Sequence, residues 1–296
     1  MAGIRVGIIG GTGLEHALGT LGKGESHTVE TPFGPPAGPI TLSEVDGVPV
    51  ALLARHGPGH IFSPTRVPYR ANIFALKALG VTHVLASGAV GSLREHIQPR
   101  HLAIPDQVID RTYRRPATFY DDLAVHVELS SPFCGALRQV LLDAAQGGDT
   151  PVHPQGTYVC MEGPALSTRA ESLLHRSWGG DLIGMTAMPE AKLAREAELH
   201  YALVALPTDY DCWQPPPPGQ EPDALIAGII QNLQAVSASG LALIRRALPR
   251  IASATAPCRC ESALALGIWS DRARIPNEVR TRLRPLLGKY LPPEIV

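Results

Sequence analysis

The chain has 296 residues, 45% of them hydrophobic, which is enough for a real core and too much for a disordered segment. Its 26 basic and 27 acidic residues leave a net charge of −1, so no field of one sign draws in nucleic acid or an anionic membrane. An anionic ligand then has to be held by a local site. The N-terminus does not read as a secretory leader, and no apolar run approaches the roughly 20 residues that span a bilayer. The five scattered cysteines are too few for a disulfide scaffold. A cytoplasmic chain with reduced thiols is expected.

Short apolar runs predict strands at residues 4–9, 50–54, 81–86, 102–104, 156–161, 181–183 and 201–206, several of them apolar enough to be buried on both faces. Helical periodicity falls between them, at 69–79, 132–145 and 191–199. Thr168 and Glu171 have the spacing of a capping box for a helix through Leu174, and Pro189 stands where first-turn prolines are tolerated. A long helix is expected from about 223 to 247, and a short one near 277–287. The alternation reads as an α/β protein with a largely parallel sheet. Residues 1–250 are taken as the main domain, with 251–296 as an appendage packed on it. The prolines at 215–218 serve equally as a connector or as one wall of a pocket.

Five predicted strand ends carry chemistry. Gly10-Gly11-Thr12-Gly13 has the backbone N–H groups of an anion-binding turn, but lacks both the dinucleotide fingerprint and the P-loop Gly-Lys-Ser/Thr. Arg55-His56-Gly57 brings a guanidinium able to grip phosphate through two parallel hydrogen bonds. Ser87-Gly88-Ala89-Val90-Gly91 reads as a third strand opening into a loop of small residues, and Gly184-Met185-Thr186 as a fourth. Thr208-Asp209-Tyr210-Asp211 ends the fifth. Its two carboxylates point the same way if strand geometry continues, and partial burial would keep one of them protonated near neutrality, as a general acid requires. No serine-hydrolase elbow is present. Cys258 and Cys260 could pair in a short disulfide or supply two metal ligands, and no Cys/His/Asp set has metal-ligand spacing. No metal or organic cofactor is expected. These residues specify a site for phosphate and a small molecule, with an acid.

In order, these segments resemble the methylthioadenosine phosphorylase branch of the trimeric purine nucleoside phosphorylase family. The likeness runs from Val6 to about Trp213 and includes Gly91-Ser92-Leu93-Arg94-Glu95, Ile109-Asp110-Arg111-Thr112, Glu162-Gly163-Pro164, Thr168 to Ser172, Met188-Pro189-Glu190 and Asp209-Tyr210-Asp211-Cys212-Trp213. It implies a single-domain α/β fold with a mixed, largely parallel sheet flanked by helices. It also implies attack of phosphate on C1′ of a purine nucleoside through an oxocarbenium-like state.

By that resemblance Thr12, Arg55, His56, the Gly88 and Ala89 backbone and Thr186 would hold phosphate, itself a co-substrate. Met185 would pack beside the ribose, Asp209 would protonate or hydrogen-bond purine N7, Asp211 would accept from the 6-amino group, and Ser167 would support the pair. His126 would reach a neighbouring subunit's 5′ pocket in a homotrimer or a dimer of trimers. Leu166 would lie over the base, and Pro222, Leu225 and Ile226 near the 5′ substituent. The chain departs from the family pattern at Gly88 (often threonine), Leu166 (often aromatic), Gly184 (a larger polar residue) and Pro222 (usually valine). The substrate implied is S-methyl-5′-thioadenosine. Competing readings are a related phosphorylase acting on 5′-deoxyadenosine, adenosine or a 6-oxopurine nucleoside, a nucleoside hydrolase, and a non-catalytic nucleoside-binding protein.

Overall fold

The computed structural model describes residues 4–14, 18–22, 24–215, 222–251 and 258–293, with the backbone alone at 222–225. The strands are β1 (Val6–Gly10), β2 (Glu25–His27), β3 (Ile40–Val45), β4 (Val48–Ala54), β5 (His83–Ser92), β6 (Leu102–Ala103), β7 (Gln107–Arg111), β8 (Val152–His153), β9 (Thr157–Met161), β10 (Leu182–Gly184) and β11 (His200–Asp209). They join in one mixed sheet. The helices are α1 (Tyr69–Ala78), α2 (Gly135–Ala145), α3 (Arg169–Ser177), α4 (Ala187–Glu196), α5 (Pro222–Ile251) and the short α6 (Asn277–Arg282) and α7 (Arg284–Leu287). The all-apolar runs become the middle of the sheet, with β1 buried throughout and β11 buried up to Asp209. Both faces are covered, as expected of parallel strands.

β4, β1, β5 and β11 run parallel side by side, and β10 pairs antiparallel with the far end of β5. One edge of β5 therefore has two partners in succession. Its first residues pair with β1 as far as Ala86, and Gly91 and Ser92 pair with β10. Between them, Ser87 to Val90 face the space where both neighbours end. Strand β5 was expected to stop at 86. It continues to Ser92 because β11 pairs with it along its whole length, so Gly88 and Ala89 lie in a strand and not in a loop.

One core layer packs the sheet against α1 and α4, and the other against α2 and α5. After α5, Leu264, Leu283 and Leu287 are at most 1% exposed and join the first layer, each contributing about 1.5–3 kcal/mol by burial. The capping box closes as expected, with Thr168 Oγ1 accepting from Glu171 N and Glu171 Oε2 from Thr168 N. Two helix expectations need correction. Helix α5 runs past Pro249 to Ile251, because Leu248 and Ile251 anchor its last turn in the core. Its segment Ile226–Ile251 is also long and apolar enough, by length and composition, to cross a bilayer. Its Val236, Leu243, Ile244, Ala247 and Leu248 are instead buried against the sheet and α2, which leaves that segment one face of a core helix. Strands β2, β3, β7 and β8 escaped the sequence reading because they are short or carry mixed polar side chains.

Candidate active site

The carboxyl ends of β1, β4, β5 and β11 lie together, with Gly10 opposite Ala54, and Ala205 opposite Gly88. Gly11 is pressed against its surroundings. A Cβ there would stand 2.4 Å from both Arg55 Nη1 and the Ser87 carbonyl oxygen, so only glycine allows the turn to cross at this height. Gly11 N donates to Ser87 Oγ (3.3 Å), and Arg55 Nη1 donates to Ser87 O (2.6 Å). The Ser87 carbonyl therefore points into the gap between β1 and β10. Two residues along the strand, the Ala89 N–H points the same way. The backbone donor there comes from an unpaired strand edge.

Arg55 is 0% exposed and gives three of its five N–H groups to protein partners: Nε to Glu190 Oε2 (2.7 Å), Nη2 to Glu190 Oε1 (2.8 Å), and Nη1 to Ser87. Tyr201 OH donates to the same Glu190 Oε1 (2.8 Å). Burial alone would lower the Arg55 pKa, but the charge and hydrogen bonds of Glu190 outweigh it and hold the guanidinium firmly protonated. His56, 2% exposed, donates from Nδ1 to Phe62 O (2.7 Å) and stacks on His60. Burial first, then the Arg55 charge, push its pKa down to about 4. The ring is neutral near pH 7, with Nε2 left as an acceptor.

Thr186 precedes α4, and its Oγ1 lies 3.5 Å from where a Gly88 Cβ would stand, an ordinary contact with room for a side chain. Gly184 is the opposite case. A Cβ there would meet Tyr158 OH at 2.0 Å, so Tyr158 fills the volume that a larger residue would need. The Tyr158 hydroxyl accepts from Thr186 N (3.4 Å) and thereby braces the threonine. Arg115 is a second buried hub. It donates to Met185 O (2.5 Å), Met188 O (2.8 Å), Glu162 O (2.5 Å) and Glu162 Oε1 (3.0 Å). Met185, partly buried, is thus fixed through its backbone, while its Sδ packs against Gly163, whose φ of +67° leaves no place for a side chain.

The acids behave differently from a strand pair. β11 ends at Asp209, and Asp211 takes φ = +50° in a 3₁₀ turn (Asp211–Trp213), so the two carboxylates do not share a strand face as expected. Instead the chain folds back, and Asp211 N donates to Asp209 Oδ1 (2.7 Å) while Thr208 Oγ1 donates to Asp209 Oδ2 (2.6 Å). Burial raises the Asp209 pKa against these two hydrogen bonds, and the Asp211 charge adds to the rise. Asp211 Oδ2 is buried with no hydrogen-bond partner among the described residues, an acceptor open to a donor. Gly91 makes room for the turn, since a Cβ there would lie 3.2 Å from both Asp209 Oδ1 and Asp211 Cβ. Trp213 pins it by donating to Ser92 O (2.8 Å) under the Arg176 guanidinium.

Thr12 lies in the Gly11–Gly13 turn at the gap, partly buried. Ser167 does not support the acids directly. Its Oγ faces Met161 Sδ, and its carbonyl accepts from Cys212 Sγ (3.2 Å), because the turn brings Cys212 and not the carboxylates to it. Leu166 is 72% exposed and Ile226 is 56% exposed. The side chains of Pro222 and Leu225, and residues 216–218 of the proline run, lie outside the described residues. His126 is exposed, with its ring 4.3 Å from that of Trp269. Tyr158, Arg115 and Tyr201 gave no local signal in the sequence, since an isolated tyrosine or arginine shows its partners only after folding. The count of two metal ligands at Cys258 and Cys260 also changes. All five cysteines are free, and the fold adds Cys134 and His200 to that pair.

A set of polar donors and a partly buried acid gathered at the carboxyl ends of parallel strands is the place where α/β enzymes take small-molecule ligands. The phosphorylase superfamily model matches residues 5–248, and the chain belongs to that family. Among its relatives, it is 48% identical to the S-methyl-5′-thioadenosine phosphorylase of Geobacter sulfurreducens, covering 97% of this chain and 99% of that one. It is 43% identical to the enzyme of that name from Gloeobacter violaceus, covering 97% and 96%. A crystal structure of a methylthioadenosine phosphorylase from an Antarctic soil metagenomic library superposes with a TM-score of 0.86 at 43% identity, covering 97% and 100%. The Schistosoma mansoni methylthioadenosine phosphorylase in complex with adenine gives 0.77 at 32% identity, covering 96% and 98%.

Proposed function

We propose that this chain cleaves the glycosidic bond of S-methyl-5′-thioadenosine with inorganic phosphate, releasing adenine and 5-methylthioribose 1-phosphate. The observation that carries the reading is the meeting of an anion cradle and a partly buried aspartic acid with a raised pKa at one end of the sheet, in a chain of this family. Phosphate lies among Thr12, His56, the Ala89 N–H and Thr186, with Gly88 beneath it and the two uncommitted Arg55 N–H groups supplying positive charge. The neutral His56 Nε2 accepts a hydrogen bond from the P–OH group, which turns the other phosphate oxygens toward C1′. Met185 packs against the ribose.

As the C1′–N9 bond loosens, negative charge grows on the purine. Protonated Asp209 gives its proton to N7, so that adenine leaves neutral. The unpartnered Asp211 Oδ2 accepts from the 6-amino group and disfavours a 6-carbonyl, since two acceptors would then face each other. Leu166, Pro222, Leu225 and Ile226 line the base and 5′ ends. No metal enters this reaction.

The assembly is a cyclic homotrimer in which His126 reaches a neighbour's 5′ pocket. Leu266 (92% exposed) and Trp269 (70% exposed), beside His126, support a contact face there. The enzyme works in the cytoplasm, in purine and methionine salvage.

The test is product analysis with a panel of purine nucleosides, with and without phosphate. Methylthioadenosine is expected to be consumed only with phosphate, yielding the sugar 1-phosphate. Equal turnover in phosphate-free buffer with free sugar as product would make it a hydrolase, and no turnover of any nucleoside would leave a binding protein.

A further inference from the structure

At the opposite end of β11 from Asp209, four side chains from three separate stretches of sequence meet. Cys134 is the N-cap of α2, His200 opens β11, and Cys258 and Cys260 follow α5. We propose that these four residues form a closed tetrahedral zinc(II) site that fastens the C-terminal segment to the sheet.

The geometry is that of a zinc ligand set. The four ligand atoms lie within 4.8 Å of one another. Cys134 Sγ is 3.4 Å from His200 Nδ1 and 3.5 Å from Cys258 Sγ, and Cys258 Sγ is 3.3 Å from His200 Nδ1. Zinc bonds to sulfur and imidazole nitrogen set the edges of such a tetrahedron at roughly 3.5–3.8 Å, so these three edges need to open only slightly. The Cys134–Cys258 separation is far beyond a disulfide bond, and the cysteines are free.

The surroundings complete the case. His200 Nε2 lies 3.1 Å from Glu261 Oε1, so Nε2–H donates to the carboxylate and leaves the Nδ1 lone pair facing the sulfurs, as in the carboxylate–histidine–zinc arrangement. The His83 ring stacks on His200 at 4.1 Å with planes 4° apart, which fixes the ring's orientation. Two sulfurs already accept backbone N–H groups, Cys134 from Leu137 N (3.4 Å) and Cys258 from Cys260 N (3.2 Å), which suits them to thiolate charge. Cys134 N donates to Tyr201 O (2.8 Å), so the α2 cap and the start of β11 are tied before any metal arrives.

Three thiolates and an imidazole select a borderline-soft ion over magnesium or calcium. Four protein ligands leave no open position for substrate or water, which marks the site as structural. Binding releases three thiol protons, and His200 enters neutral, so the zinc–ligand unit carries one net negative charge. A ten-residue strand, about 30 Å long, separates this cluster from Asp209, so the ion takes no part in the chemistry there.

The test measures metal, with no substrate needed, so it stands or falls separately from the catalytic reading. The full chain, without a histidine tag, is produced with zinc in the medium, kept reduced, desalted and assayed by elemental analysis. One zinc per chain is expected, falling to less than about a tenth in Cys134→Ser and in Cys258→Ser. Glu261→Gln keeps all four ligands and is expected to weaken zinc affinity about 10- to 100-fold in a competition titration with a chromogenic chelator. Cobalt(II) put into the apoprotein should give thiolate charge-transfer bands and the visible spectrum of a tetrahedral centre. Stripping the zinc should lower the melting temperature. Two results overturn the proposal: reduced wild-type protein that takes up no stoichiometric zinc or cobalt, or a thiol count in denaturant that is short by two and restored by reductant, which makes the cluster a disulfide pair.

Discussion

The two halves of the proposed active site are built by different means. At the proposed phosphate end, Arg55 follows β4, Glu190 and Tyr201 come from α4 and β11, and the three satisfy one another in full burial. Nothing there can shift without breaking a buried ion pair, so the anion meets donors already in place. At the base end, Asp211 sits in a left-handed turn held by one N–H bond to Asp209, Leu166 is open to solvent, and one carboxylate oxygen has no hydrogen-bond partner among the described residues. The difference separates two tasks. The half proposed to meet phosphate is built on a buried ion pair, and the half proposed to choose the purine stands on turns, where a substitution is expected to change preference without disturbing the sheet.

The strongest way to break that comparison is at Glu190. Glu190→Gln leaves the buried Arg55 charge without its carboxylate, and a loss of about 3–5 kcal/mol of stability is expected, read as a shift in the urea midpoint. A loss below 1 kcal/mol would deny that the phosphate half is rigidified by this pair. Next comes Asp209→Asn, which keeps a hydrogen-bond donor but has no proton to transfer, so kcat is expected to fall about 100-fold or more in steady-state assays. Because burial raises the Asp209 pKa, the wild-type rate should decline as pH rises through that raised value and the acid is lost. The asparagine variant should lack that decline, and unchanged turnover would remove Asp209 from the chemistry.

Asp211→Asn tests the adjustable half. An amide donates to a carbonyl oxygen, so the ratio of kcat/KM for 6-amino over 6-oxopurine nucleosides is expected to drop about tenfold with little change in melting temperature. If the ratio is unmoved, the base is read elsewhere. The smallest effect is expected from Gly88→Thr. Its Cβ has room beside Thr186, and the added hydroxyl supplies one more donor, worth about 0.5–1.5 kcal/mol. The phosphate KM should fall about two- to tenfold, and a rise would mean that phosphate lies off this strand edge.

Much of the frame was legible before folding. The apolar runs at β1, β4, β9 and β11, the periodic helices α1 and α2, and the Thr168–Glu171 capping box follow from side-chain period and short-range hydrogen bonding, which one segment encodes alone. The glycine turn at 10–13, Arg55-His56 and Asp209 could be nominated as candidates because parallel α/β sheets gather ligands at the carboxyl ends of their strands.

The rest was a matter of what each residue meets. Strand β5 outran its apolar stretch because β11 supplied a partner, and Gly184 is a glycine because Tyr158, distant in sequence, occupies its side-chain volume. The acids parted from strand geometry once Asp211 turned left-handed to bond Asp209. Cys134, His200, Cys258 and Cys260 were unreadable as a group, because no local spacing links three stretches that only the packing of α2 and β11 brings together. Sequence by itself determined the periodic elements and nominated the residues proposed for the phosphate and acid roles, since those depend on backbone preference and side-chain chemistry. Only the tertiary structure decided Arg55's partners, the exposure of Leu166, the turn of Asp211 and the meeting of the cysteines, because each depends on volumes and hydrogen-bond partners contributed by residues far along the chain.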